Sequence, residues 1–150
     1  MKSEIDAMID YGMRFIGSPY SWGGNGPYFD CSGYVQECLQ RIGRDPAYDQ
    51  TAQMLYDTLL RDGWKIYVDR GSILFFGSAT NRITHTGIAL NKNFMLECGG
   101  GDSTTDTLSD AVERGAMVRI RRIRRDLIVG LAFRDWIPKV ELTPAWPQDV

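Results

Sequence analysis

A single histidine and three cysteines in 150 residues leave little from which to build a metal centre. A structural zinc site takes about four Cys or His ligands at close spacing. Cys31, Cys38 and Cys98 contain no CxxC pair for His85 to complete. The odd count also argues against a disulfide framework. Were Cys31 and Cys38 on one helix, about 10.5 Å of rise would separate them, beyond the roughly 7 Å that a disulfide bridges. Reduced thiols fit better and suit an intracellularly assembled protein. Long apolar runs are missing too, and nothing approaches the roughly 20 residues of a membrane span. Net charge is only −2, which gives no overall pull toward nucleic acid or an anionic membrane. The opening MKSEIDAMIDYGMRF has acids where a secretory signal is basic and then apolar, so the chain is expected to be cytoplasmic as made. No repeat or linker divides it, and a 43% hydrophobic content supplies a core for one domain over residues 1–150.

What is present falls into two halves. Ile5, Met8, Ile9, Met13 and Ile16 recur at helical spacing after a capping Ser3, and Gly17 with Pro19 stops the run. Residues 18–30 are rich in Gly, Pro, Ser and Asn and read as loop. A second helix is predicted from about Cys31 to Ile42, with Val35, Cys38, Leu39 and Ile42 inward and Gly43 at its C-cap. DQTAQMLYDTLLRDG predicts a third, with Leu55 and Leu59 inward. Beyond it the period shifts toward two, and KIYV, SILFF, HTGIAL, NFMLE, AMVRIRRI and LIVGLAF read as short strands. SILFF is apolar throughout and should be central. Helices followed by strands predict an α+β fold, N-terminal helices packed on a central antiparallel sheet of about five to six strands. The tail ELTPAWPQDV reads as an irregular surface strap.

The stretch FDCSG places a cysteine at the mouth of the second helix. Unpaired N–H groups and the positive end of the helix dipole favour a thiolate there, and the same N–H groups can hold an oxyanion. Gly33 keeps the approach open. Read blandly, Asp30 is an N-cap and Cys31 a small core residue. His85, the only histidine, opens the strand-like HTGIAL, and the two together suggest a thiolate–imidazolium pair across a helix–sheet boundary.

These residues resemble the NlpC-type bacterial cell-wall cysteine peptidases, a compact branch of the papain-like superfamily. The resemblance rests on YSWGGNGPYFDCSGYVQ, the helix beginning near QTAQ, RGSILFFG and HTGIAL, and covers roughly residues 8–98. It implies a papain-like fold with Cys31 as nucleophile and His85 as general base. Family members orient the imidazole with a polar His, Asn or Gln from the next strand. Here that place falls to Glu97, a departure, and a carboxylate there would hold the Nδ1–H of His85. Asp102, after GGGD, is the competing orienter. Tyr20 matches a tyrosine near the oxyanion site, and its alternative is a core aromatic. Asp30 and Ser32 match residues that bind a free N-terminal amine in some members, although N-capping alone also accounts for them. Trp22, Gly23 and Gly24 are expected to shape the cleft wall. Gly71 and Ser72 stand where Gly-Asp is usual.

Five arginines crowd residues 119–125. A solvated edge strand that discourages strand addition is favoured over a strand that pairs with substrate carboxylates. The resemblance implies hydrolysis of an amide bond in peptidoglycan stem peptides, the D-glutamyl–diamino acid bond foremost, with no metal or organic cofactor. An amidase or acyltransferase on another substrate, or a phage-tail component using the fold structurally, are the alternatives. The resembled family's substrate lies outside the cytoplasm, so virion association or export by a non-standard route, with a tail or secretion-apparatus partner, or recycling of internalised muropeptides, would reconcile the two.

Overall fold

The computed structural model describes residues 3–24 and 28–139, so the strap expected of the tail lies outside the described residues. Helix α1 spans Glu4–Met13, α2 Cys31–Arg41 and α3 Ala52–Arg61. Strands β1 (Lys65–Ile66), β2 (Ile73–Gly77), β3 (Ile83–Ala89) and β4 (Phe94–Gly99) follow. Helix α4 (Leu108–Arg114) then precedes β5 (Met117–Arg122) and β6 (Leu127–Ala132). The strands form one antiparallel sheet in the order β1-β6-β2-β3-β4-β5. The architecture is the α+β one predicted from the order of periodicities. Among the described residues no helix is long and apolar enough to cross a membrane.

Each helix starts at a side-chain cap. Ser3 accepts from the Asp6 N–H, Asp30 from that of Gly33, and Thr51 from that of Met54. Helix α2 lies against α1, β3 and β4. Its Tyr34, Val35, Cys38 and Leu39 are fully buried, and burial of side chains of this kind stabilises by about 1.5–3 kcal/mol each for the larger ones. The Tyr34 hydroxyl donates to the Gly12 carbonyl at 2.8 Å, tying α2 to α1. Gly43, at φ 71°, reverses the chain after α2 in the left-handed region that glycine adopts without strain.

Strand β2 is central, as its composition predicts. Ile73–Phe76 are all buried, with Ile73 and Phe75 toward the helices and Leu74 and Phe76 toward a second, smaller apolar cluster. Alternation carries this two-faced pattern across the sheet. In β3 and β4, Ile88 and Leu96 join the helix-side core, while Ala89 and Met95 join the opposite cluster.

Three expectations change. Helix α1 ends at Met13, and the turns that follow leave Ile16 48% exposed rather than on the core face. Strand β3 begins at Ile83, so His85 is its third residue, not its tip. Helix α4 has no counterpart in the periodicity. It is set by a reciprocal capping box between Thr107 and Asp110 and by a left-handed Gly115 at its end.

Candidate active site

Local chemistry places Cys31 at the first turn of α2. The N-cap Asp30 accepts from the Gly33 N–H at 2.7 Å through one oxygen and from the Gly23 N–H at 3.1 Å through the other. Its carboxylate thereby fastens the 21–24 turn to the helix mouth. A Cβ on Gly33 would collide with the Gly24 carbonyl, so the close approach of that turn requires glycine. Burial pushes the Asp30 carboxyl up, and the bonds from Gly33 and Gly23 act against that rise. Ser32 is buried, and its hydroxyl faces Asp30 at 3.4 Å.

His85 and Glu97 are brought together by sheet register. Ile88 pairs with Leu96 and Ala89 with Met95. Next along β3, a Cβ on Gly87 would meet the Glu97 Cβ at 3.4 Å, so the two face the same way. Alternation then puts His85 and Glu97 on the same face as Ala89 and Met95, as diagonal neighbours. His85 Nε2 lies 3.2 Å from Glu97 Oε2, a close charged contact that is not an aligned hydrogen bond. The nitrogen facing Glu97 is therefore Nε2. This corrects the expectation that the carboxylate holds Nδ1–H. Burial pulls the imidazole down, but its interactions with Cys31 and Glu97 outweigh that and raise His85 to about 9.

Glu97 is not a surface acid at a strand end. It is 1% exposed and sits inside β4. Burial acts to raise its carboxyl, yet His85, Arg119 and Arg121 together carry it below the usual carboxylate range. Asp102 also lines the cleft, but it is exposed and its carboxylate pairs with Arg114 at 2.8 Å.

A cleft of about 890 Å³ opens between the starts of α2 and α3 and strands β3–β5, and Cys31, His85 and Glu97 all line it. Tyr20 is a buried wall residue packed over Gly101. Burial first, and then the Cys31 sulfur, push its hydroxyl well above the ordinary phenol value, so it stays protonated and able to donate. Trp22, 54% exposed, stands at the rim with Gly23. The three cysteines are unpaired: Cys38 and Cys98 are buried, and only Cys31 is partly open.

Three residues of the arginine run, Arg119, Arg121 and Arg124, line the cleft. Strand β5 is indeed an edge strand, but its pleat divides the charges. Arg122 is exposed, whereas Arg119 and Arg121 are half-buried and turn toward Glu97. The signal was the alternation VRIR opposite a buried acid. Gln36 also escaped notice. It accepts from the Gln50 N–H at 2.9 Å and donates to the Tyr48 carbonyl at 2.8 Å, holding the segment before α3 against α2. Ser72, where an aspartate is usual in the resembled family, is buried and accepts from the Asp69 N–H at 3.1 Å.

The fold agrees with that of known proteins. The family model described as NlpC/P60 matches residues 17–122. A Listeria innocua protein described as a probable endopeptidase p60 is 28% identical over 106 residues, 70% of this chain and 22% of that protein. The chain thus spans about a fifth of that relative's length. Among solved structures, the P60 domain of a Mycobacterium avium subspecies paratuberculosis antigen superposes with a TM-score of 0.63 at 21% identity, covering 85% of this chain and 92% of that one. RipD of Mycobacterium tuberculosis, described as a non-catalytic NlpC/p60 domain protein adapted to peptidoglycan binding, superposes with a TM-score of 0.64 at 18% identity, covering 89% and 99%.

Proposed function

Because the chain belongs to the NlpC/P60 family, we propose that it is a cell-wall cysteine peptidase that hydrolyses an amide bond of peptidoglycan stem peptides. The bond favoured is that between D-glutamate and a diamino acid. The observation that carries the reading is that Cys31, His85 and Glu97 line one cleft, with the His85 ring 3.2 Å from the buried Glu97 carboxylate. A structural or purely binding domain has no need to bury an acid behind its single histidine.

In the first half-reaction the Cys31 thiolate attacks the scissile carbonyl carbon and the C–O π electrons move onto oxygen. The Cys31 N–H and the protonated Tyr20 hydroxyl stabilise that oxyanion. On collapse the C–N bond breaks, and the His85 imidazolium gives its proton to the departing amine, leaving a thioester on Cys31. In the second half, His85 takes a proton from water as the hydroxyl attacks the thioester. The C–S bond then breaks and the carboxylic acid leaves. Glu97 fixes the ring orientation and stabilises the imidazolium in both halves. Asp30 and Ser32 set the helix mouth and stand where a substrate amine would be held.

Digestion of purified muropeptides, with products identified by mass spectrometry, tests activity and bond together. Cys31→Ala is expected to fold normally and to release no amine. Release by that variant at the wild-type rate would overturn the mechanism.

A further inference from the structure

The arginines of β5 carry more positive charge than Glu97 requires. Among the described residues, Glu97 is the only carboxylate within ion-pairing distance of Arg119 or Arg121. Arg119 Nη2 is 3.9 Å from one of its oxygens and Arg121 Nε 3.6 Å from the other, both too long for hydrogen bonds. His85 lies closer, at 3.2 Å. Two guanidinium groups and an imidazolium therefore surround one carboxylate. Arg124 differs, being paired in a fork with Asp126.

Neither Arg119 nor Arg121 is consumed by its local contacts. Arg121 Nε donates to the Arg122 carbonyl at 3.2 Å. Arg119 Nε is buried with no hydrogen-bond partner among the described residues. Their side chains are 33% and 40% exposed, and both line the cleft, so guanidinium N–H groups remain open to whatever occupies it. Arginines serving only to neutralise Glu97 would close onto it. These stand back, between a buried anion and an open groove. The cleft lining also includes Asp30 and Asp49, near the starts of α2 and α3, and Asp102, which is paired with Arg114.

We propose that Arg119 and Arg121 form an anion-binding subsite that receives a free carboxylate of the substrate peptide, so that acidic stem peptides are preferred to amidated ones. The inference rests on the peptidase reading above for the identity of the substrate. A guanidinium donates two parallel N–H bonds to a carboxylate, whereas a carboxamide has one acceptor oxygen, and its NH2 is repelled.

The test compares kcat/KM on a synthetic γ-D-glutamyl–diamino acid peptide with two counterparts, one amidated at the glutamate carboxylate and one at the diamino acid carboxylate. For wild type, at least one amidation should lower kcat/KM by about ten-fold or more, the worth of one charge-assisted bond. In Arg119→Gln/Arg121→Gln that preference should fall to within about two-fold, with Arg→Lys at either position restoring part of it. Circular dichroism checks folding, and the single glutamine variants replace the double one if it does not fold. A preference that is absent in wild type, or survives in the variants while all rates fall together, would overturn the subsite and leave the arginines as supports for Glu97. Should wild type cleave none of the three, the peptidase reading falls and alkylation of Cys31 decides the subsite alone. The ratio of iodoacetate to iodoacetamide rates cancels changes in thiol reactivity. A fall in that ratio in the double variant supports the anion site, and an unchanged ratio overturns it.

Discussion

Beneath the carboxylate of Glu97 the strand carries no side chain. A Cβ on Gly99 would collide with the carboxylate, which folds back over that position toward His85. The backbone of Gly99 is not in the left-handed region, so alanine is conformationally acceptable there and only the Glu97 side chain must move. Gly99→Ala is therefore expected to lower kcat by ten- to hundred-fold, as small misplacements of catalytic groups do, with little change in melting temperature. In a Glu97→Ala background the same substitution should cost almost nothing more. Additive losses in muropeptide hydrolysis would separate Gly99 from the orienting carboxylate. At this scale the sequence showed the acid, and it could not show the notch. A glycine at a strand end reads as punctuation, and its use depends on where a neighbouring carboxylate folds.

Helix α2 turns a local signal into the position of Cys31, the proposed nucleophile. Asp30 bridges Gly23 and Gly33, so it orders the loop and the helix start at once. Asp30→Asn retains a cap-competent side chain and should stay within about 0.5 kcal/mol of wild type in urea denaturation, while Asp30→Ala should lose about 1 kcal/mol. If Asp30 also holds a substrate amine, Asp30→Asn raises KM for peptides with a free amino terminus and leaves N-acetylated ones unaffected. Equal changes for both confine Asp30 to capping. The elements were legible where apolar spacing was strong. Val35, Cys38 and Leu39 marked α2, and Ile73–Phe76 marked the central strand. Helix α4 escaped because its seven residues bury Ala111 alone, leaving no periodic face. Its evidence was the capping pair Thr107 and Asp110. Strand β5 was legible as an edge, but the pleat that sends Arg119 and Arg121 one way and Arg122 the other acquires meaning only opposite Glu97.

The whole molecule sets the proton balance of the cleft. In an unfolded chain His85 would titrate near 6.5; in the fold it is raised to about 9. The folded state thus holds this proton more tightly than the unfolded one. Its contribution to stability is complete below about pH 6.5 and is lost as pH rises through about 9. The stability difference between wild type and His85→Gln, measured by urea unfolding, should shrink across that window. A difference that stays constant would mean that the ring does not carry the extra proton. Glu97 has the opposite sign: its carboxyl is lowered, so its contribution is present near neutrality and lost as acid protonates it.

The sequence alone determined the helix mouth at Cys31 and the order of helices and strands, because caps, turns and apolar periodicity act over a few neighbours, and it offered His85 as its single histidine. Tertiary structure decided which nitrogen of His85 meets Glu97, that Glu97 and not Asp102 stands behind the ring, and which arginines enter the cleft. Those outcomes depend on the register of β3, β4 and β5 and on the packing of α2 against them. A shift of one residue in a strand would reverse every side chain's face, and no short stretch of the chain encodes that alignment by itself.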